Sequence, residues 1–381
     1  MMKPFAIYFP QFYPTPTNDA AWGHGFTDWT LVAHANLHRS WERHAPRRGY
    51  YDGADPKLHR AHFDEMQRHG LGGFALYHYW FYTHQELGAV EQTLLALPQT
   101  TALPWFLVWA SEGWSRRWLG DPSPIAELTA APTLAEIEHH CKHLARCFEH
   151  PAYLRWDGRP LFVWYHLAHF TRPDEVVERY RDVLAQRGID IAVAHFVKNP
   201  FDSQHTGLVE ASYLFEPRLF FGMQRVSRSS AAKHGFDGAR RLIGERAAAR
   251  LLLLLDRMQQ NGRTHSATDF LDYLASERRA RFAASLPGVV QEVLSPGWNN
   301  SPRYGSRYTA LESLPAERFG ALVRAAAHGP LPPLINAWNE WSEGAAVEPC
   351  AYFGTRYLDA IAAAPDTETV SAAAWQPAAG S

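Results

Sequence analysis

Little in this chain points to metals, membranes or nucleic acid. Cysteine is scarce: Cys141, Cys147 and Cys350 are the only three in 381 residues. The count is odd and the spacing fits no zinc motif, so no disulfide framework is implied and a reducing compartment is expected. No apolar run approaches the roughly 20 residues of a spanning helix. Leu251–Leu255 is far too short. A formal net charge of −2 gives no basic surface for nucleic acid or an anionic membrane. No glycine-rich turn follows the first strand candidate and no Asp-x-Asp motif occurs, so no nucleotide cofactor is expected. The N-terminus, Met1–Tyr8, enters an apolar strand pattern without a signal-peptide core, which gives an expectation of a cytoplasmic protein.

Aromatic residues are abundant instead. The chain has 14 Trp, 16 Tyr and 21 Phe, 13% in all, with 20 His besides. Many lie next to turn-forming or polar residues rather than inside apolar runs. Flat rings with a polar edge suit sugar faces, although they also suit ordinary cores.

Short apolar runs at 4–9, 73–78, 104–109, 160–166, 190–196, 211–215, 290–295 and 333–338 alternate with amphipathic segments. Those segments fall at about 56–69, 87–97, 133–149, 173–187, 269–284 and 316–328, with 354–364 after the last run. The alternation predicts an α/β fold: a single (β/α)8 TIM barrel with long loops at the C-terminal face of the strands. An open doubly wound sheet is the competing layout, because the 197–210 connection is short for a helix. Residues 1–364 form the expected catalytic domain, with a helical insertion at about 218–268 that includes a helix over Ala247–Met258. Residues 10–55 read as a long loop, and 365–381 as a flexible tail. No internal repeat is visible beyond the barrel period.

In such a barrel chemistry gathers at the C-terminal strand ends. Tyr8 and Gln11 follow the first strand; His78 and Tyr79 close the second. Trp109, Glu112, Trp114 and Arg117 follow the third, and Tyr165 ends the fourth. Glu216 ends the sixth; Trp298, Asn300 and Arg303 follow the seventh. Asn339, Glu340, Trp341 and Glu343 follow the eighth. Two acids three residues apart between tryptophans suit acid/base chemistry on a stacked sugar. His78, His166 and His195 read equally well as satisfied core histidines, and no pair has the His-x-x-x-His spacing of a metal site, so no metal is expected. Glu348, before Pro349, reads equally well as structural.

Several of these segments resemble the WbsX-like family, which is related to the family 99 glycoside hydrolases. They are Tyr8–Phe12, Trp22–Trp29, Tyr77–Phe81, Trp109–Trp118, Trp298–Arg303 and Trp338–Gly344, in order and across nearly the whole chain. The resemblance implies a (β/α)8 barrel acting on an oligosaccharide or polysaccharide, and it adds Trp29 to the substrate-binding candidates. Family 99 hydrolases are retaining endo-α-mannosidases. WbsX-like proteins occur in O-antigen and polysaccharide gene clusters and are often labelled glycosyltransferases. By resemblance Glu340 is the base acting on the sugar 2-hydroxyl, through a 1,2-anhydro intermediate, and Glu343 is the acid/base at the glycosidic oxygen. This chain departs from the family at Ser111 and Gly113, where Asn is common, and at Asn299, where Asp is common.

The leading expectation is therefore a retaining hydrolase of an α-linked, mannose-like glycan. A glycosyltransferase or transglycosylase of cell-surface polysaccharide assembly is the alternative. A non-catalytic glycan-binding barrel stands third.

Overall fold

The structure is a computed structural model that describes residues 1–35, 45–98, 103–116, 123–225 and 262–363. Eight parallel strands run in chain order: β1 (Phe5–Tyr8), β2 (Gly73–Trp80), β3 (Trp105–Trp109), β4 (Arg159–Trp164), β5 (Ala192–Val197), β6 (Ala211–Phe215), β7 (Val289–Leu294) and β8 (Leu334–Ile335). Each pairs with the next, and β8 pairs back with β1, at Phe5 with Leu334 and Ala6 with Ile335. The sheet is closed, which rules out the open doubly wound layout.

The strands are apolar on both faces because both faces are covered. In β3 every residue of Trp-Phe-Leu-Val-Trp is buried. Alternation then sorts the chain at each strand end. Tyr77 and Tyr79 turn into the barrel mouth, where they neighbour one another, while His78 and Trp80 turn outward onto His140. In β4 and just beyond it, Trp164 turns out toward Tyr180 while Tyr165 faces the mouth.

The outer layer is made of α1 (Pro56–Arg68), α2 (Ala89–Ala96), α3 (Leu134–Phe148), α4 (Pro173–Ala185), α5 (Ala267–Leu274), α6 (Glu277–Ala284), α7 (Ala316–Ala326) and α8 (Arg356–Ala362). Local chemistry sets their starts. Thr133 and Glu136 form a capping box ahead of α3. The helix expected over 269–284 is two helices, because the Ser276 side chain accepts from Arg279 N at 3.3 Å and caps a new start. The short 197–210 connection holds a 3-10 stretch, Pro200–Leu208, led by an Asn199–Asp202 capping box. A tight helix with a greater rise per residue lets few residues cover the gap.

The 10–55 loop carries short helices at Pro16–Trp22 and Asp28–Ala35. Arg117, the expected helix Ala247–Met258 and the 365–381 tail lie outside the described residues. Among the described residues no helix is long and apolar enough to cross a membrane.

Candidate active site

A cavity of about 870 Å³ opens at the C-terminal end of the barrel. Nine candidates meet in its wall: Gln11, Tyr79, Glu112, Trp114, Tyr165, Trp298, Arg303, Glu340 and Glu343. They come from segments following six different strands.

The two acids reach the wall because the chain turns sharply after β8. Asn339 and Glu340 pair antiparallel with Ala346 and Ala345, and Trp341–Glu343 makes one 3-10 turn between them. Gly344 closes that turn at φ 61°, a left-handed conformation natural to glycine. The hairpin is pinned from below. Asn339 Oδ1 accepts from Phe9 N at 2.8 Å, and its Nδ2 donates to Phe9 O at 2.9 Å. Behind it, Trp341 Nε1 donates to Glu348 Oε2 at 2.9 Å. Glu348 also accepts from Tyr51 OH at 2.7 Å, and its other oxygen lies 3.0 Å from His62 Nε2. Glu348 is thus sealed behind the acids and fixes their turn to α1.

Arg303 bridges the pair, 2.5 Å from Glu343 Oε1 and 3.7 Å from Glu340 Oε1. Its other arm lies 3.4 Å from Asp28 Oδ1, which also accepts from Ser342 Oγ at 2.8 Å. Burial raises both glutamates above the usual carboxylate range. For Glu340 the Glu343 charge adds to burial, so it is raised further; for Glu343, Arg303 and Arg218 oppose burial. Both carboxyls are therefore raised as a pair, with the Arg303 guanidinium between them.

Across the cavity Arg218 donates to Tyr165 OH at 2.5 Å, and Lys198 Nζ sits 3.6 Å from the Tyr165 ring centroid. Burial lowers Lys198 to about 8, partly offset by Glu112. Burial would raise Glu112, but His166, 3.6 Å away, with Lys198 and Arg218 holds it at about 2. Trp114 packs at a steep angle on Tyr79 and Phe81, at 5.2 and 5.3 Å, and lines the cavity wall with them.

Other candidates lie away from the wall. Tyr8 OH is 3.0 Å from His62 Nδ1, behind β1. Trp29 packs on Phe12 and Trp341 and donates to Tyr51 O at 2.8 Å. His78 and Trp109 are buried in the outer layer. Glu216 turns to Tyr273 and Arg279, at 3.1 and 3.3 Å. Asn300 accepts from Thr309 N at 2.7 Å, and Asn339 and Trp341 serve the hairpin. Asp28, Tyr77 and Arg218 were not among the candidates. Asp28 sits in the quoted Trp22–Trp29 segment, and Arg218 is two residues past Glu216. Both were visible as charges beside nominated residues, but nothing in spacing ties them to Glu343.

A family model described as glycosyltransferase WbsX matches residues 4–361. The chain belongs to the WbsX family. Protein WxcX of Xanthomonas campestris pv. campestris, from two strains, is 30% identical over 391 residues. The match covers 96% of this chain and 50% of WxcX, so the chain spans about half the length of the curated relatives it matches. Among solved structures, a glycoside hydrolase-like protein superposes with TM-score 0.55 at 12% identity, covering 94% of this chain and 93% of that one. The GH99 endo-alpha-mannosidase from Bacteroides thetaiotaomicron superposes at 0.51 and 14% identity, covering 94% of each chain. These likenesses establish a shared barrel fold within a carbohydrate-active family.

The three residues that depart from the resemblance each have a local place in the structure. Ser111 Oγ accepts from His166 N at 2.9 Å, a half-buried bond between the segments after β3 and β4. A Cβ at Gly113 would sit 3.1 Å from Ala126 O, so the cavity wall there is already tight. Asn299 Oδ1 accepts from Ser301 N at 3.0 Å and starts the short helix that carries Arg303.

Proposed function

We propose that this barrel is a retaining glycoside hydrolase acting on an α-linked, mannose-like glycan through Glu340 and Glu343. The observation that carries the reading is the acid pair bridged by Arg303 in the wall of an aromatic cavity. Two buried carboxyls raised by their surroundings can divide the roles of acid and base.

Their roles are open to a direct test. The resemblance assigns the base to Glu340 and the acid to Glu343. Burial raises both carboxyls, so either can carry the proton that an acid needs. A substrate with a good leaving group, such as a glycosyl fluoride, needs no acid. If Glu343 is the acid, Glu343→Gln loses natural-substrate turnover yet retains fluoride hydrolysis, and Glu340→Gln loses both. The reverse pattern would exchange the roles. Full activity of Glu343→Gln on the natural linkage would sink the assignment.

Transfer from a nucleotide sugar is the second reading, favoured by the family description. Among the described residues the cavity wall gives it no clear phosphate cradle: Arg303 is engaged by Glu343 and Asp28, and Arg218 and Lys198 face Glu112, Glu127 and Glu136. Screening defined α-linked oligosaccharides beside nucleotide sugars, with product anomers followed by NMR, separates the readings. A retained anomer without a donor supports hydrolysis; turnover that requires a nucleotide sugar overturns it.

A further inference from the structure

We propose that His78, Glu91, His143 and Cys147 form a structural metal site, suited to Zn²⁺, on the outer wall of the barrel. None of the four lines the cavity, so the site does not depend on the hydrolase reading.

The residues converge from three elements. His78 is on the outward face of β2, Glu91 is on α2, and His143 and Cys147 lie on one face of α3, four residues apart. One ligand atom each from His78, Glu91 and His143 lies within 4.8 Å of the other two. His78 Nδ1 is 2.8 Å from Glu91 Oε2, and His143 Nε2 contacts Glu91 Oε1. Cys147 Sγ is 3.5 Å from Glu91 Oε1 and 3.9 Å from His143 Nε2. Tetrahedral zinc, with nitrogen at about 2.0 Å and sulfur at about 2.3 Å, sets ligand atoms roughly 3.3–3.7 Å apart. Reaching that geometry opens the Glu91 contacts and draws Cys147 toward His78, because only His78, Glu91 and His143 already lie within 4.8 Å of one another.

The outer contacts favour ligation as well. His78 Nε2 lies 3.0 Å from His140 Nε2, and His140 Nδ1 lies 2.7 Å from Tyr180 OH. This chain holds His78 with Nδ1 aimed at the cluster, the arrangement that orients a ligating imidazole. Gln85 Nε2 donates to Glu91 Oε2 at 2.9 Å and orients the carboxylate. The His143 side chain is 15% exposed and gives an entry path. Two nitrogens, a carboxylate oxygen and a thiolate form a set that prefers zinc over magnesium or calcium. On binding, the Cys147 thiol proton is released to solvent. The sequence reading sought paired histidines and passed over the mixed pair His143-x-x-x-Cys147.

The competing account is a metal-free hydrogen-bonded network around Glu91, which gives the thiol no special part. The test is titration of the purified, chelator-treated full chain with Co²⁺ and with Zn²⁺. The expected result is one Zn²⁺ per chain, a raised melting temperature, and a thiolate-to-cobalt charge-transfer band. That band should vanish in Cys147→Ser and persist in Cys141→Ser, which alters the other buried thiol of the same helix. His143→Ala, at the exposed rim, should keep the fold. It should weaken Zn²⁺ by more than the about 10–100-fold that loss of an outer-shell partner costs. Absence of saturable binding, a cobalt spectrum untouched by Cys147→Ser, or unchanged affinity in His143→Ala would each overturn the site.

Discussion

Two clusters in this barrel have the same makeup and opposite character. At the mouth, Glu340 and Glu343 share Arg303. Behind β6, Glu216 and Glu292 share Arg279. In each, burial pushes a carboxyl upward: Glu340 well above its ordinary range, and Glu216 to about 7. The partners differ. Glu216 accepts from Phe220 N at 3.0 Å, Tyr273 OH at 3.1 Å and Arg279 Nε at 3.3 Å, so its acceptors are used. Glu340 has Arg303 at 3.7 Å and, among the described residues, no side-chain hydrogen bond. A perturbed acid marks a site only when its lone pairs remain available to a ligand.

The largest expected effect breaks this comparison by substitution. Glu343→Gln should lower kcat/KM on an unactivated glycan by about 10²–10⁴-fold. Glu216→Gln should leave kcat/KM within about threefold, because Glu216 faces the helical layer and, on the proposed mechanism, the mouth acids are the ones that meet substrate. Parallel steady-state assays of the two variants check it. Equal losses would erase the distinction between the clusters.

Stability should rank the clusters the other way. Arg279→Met leaves two buried acids without their cation and should cost about 3–5 kcal/mol in urea unfolding. Arg303→Met should cost less, because two of its three carboxylates, Glu340 and Glu343, border the cavity, whereas Asp28 is buried. It should still abolish turnover if Arg303 holds the pair in place. A larger stability loss at Arg303 than at Arg279 would show that the mouth is as sealed as the interior.

This split also explains what could be read from the chain. The eight strands were legible because a parallel sheet covered on both faces needs unbroken apolar runs, and every expected run overlaps a barrel strand. The convergence on one rim followed from those strand ends. Which member of each strand-end pair faces the mouth was also encoded, in the alternation, but it was not used. Tyr79 and His78 are adjacent and were both nominated; one lines the cavity and the other the outer layer. Tyr8, Trp109 and Glu216 share the outward parity of His78. Asp28 was hidden for another reason. Its link to Arg303 spans 275 residues and exists only once the first loop folds over the mouth.

A smaller effect sharpens the comparison by pH. The folded Glu216 carboxyl is raised from about 4.5 to about 7, so the native state holds a proton that the unfolded chain releases. Stability from this group is present below about 4.5 and falls as pH rises through about 7. Glu216→Gln keeps the neutral form and removes that slope. The variant should gain on the wild type by up to about 3 kcal/mol between pH 5 and pH 8. Parallel unfolding curves at the two pH values would instead mean that Arg279 keeps Glu216 ionised.

The smallest effect concerns Glu348, which stands directly behind the mouth acids yet is bonded like Glu216. It has Tyr51, His62 and Trp341 as partners and no place in the cavity wall. Its partners saturate both oxygens, so its work is to hold Trp341 and thus the turn that presents Glu340 and Glu343. Tyr51→Phe removes one of three supports without leaving a buried donor unpaired. The expected cost is about 0.5–1.5 kcal/mol in thermal unfolding, with kcat within about twofold. A kcat loss much larger than the stability loss would move Glu348 from the sealed class to the mouth, because the proton of Tyr51 would then be felt by the reacting pair.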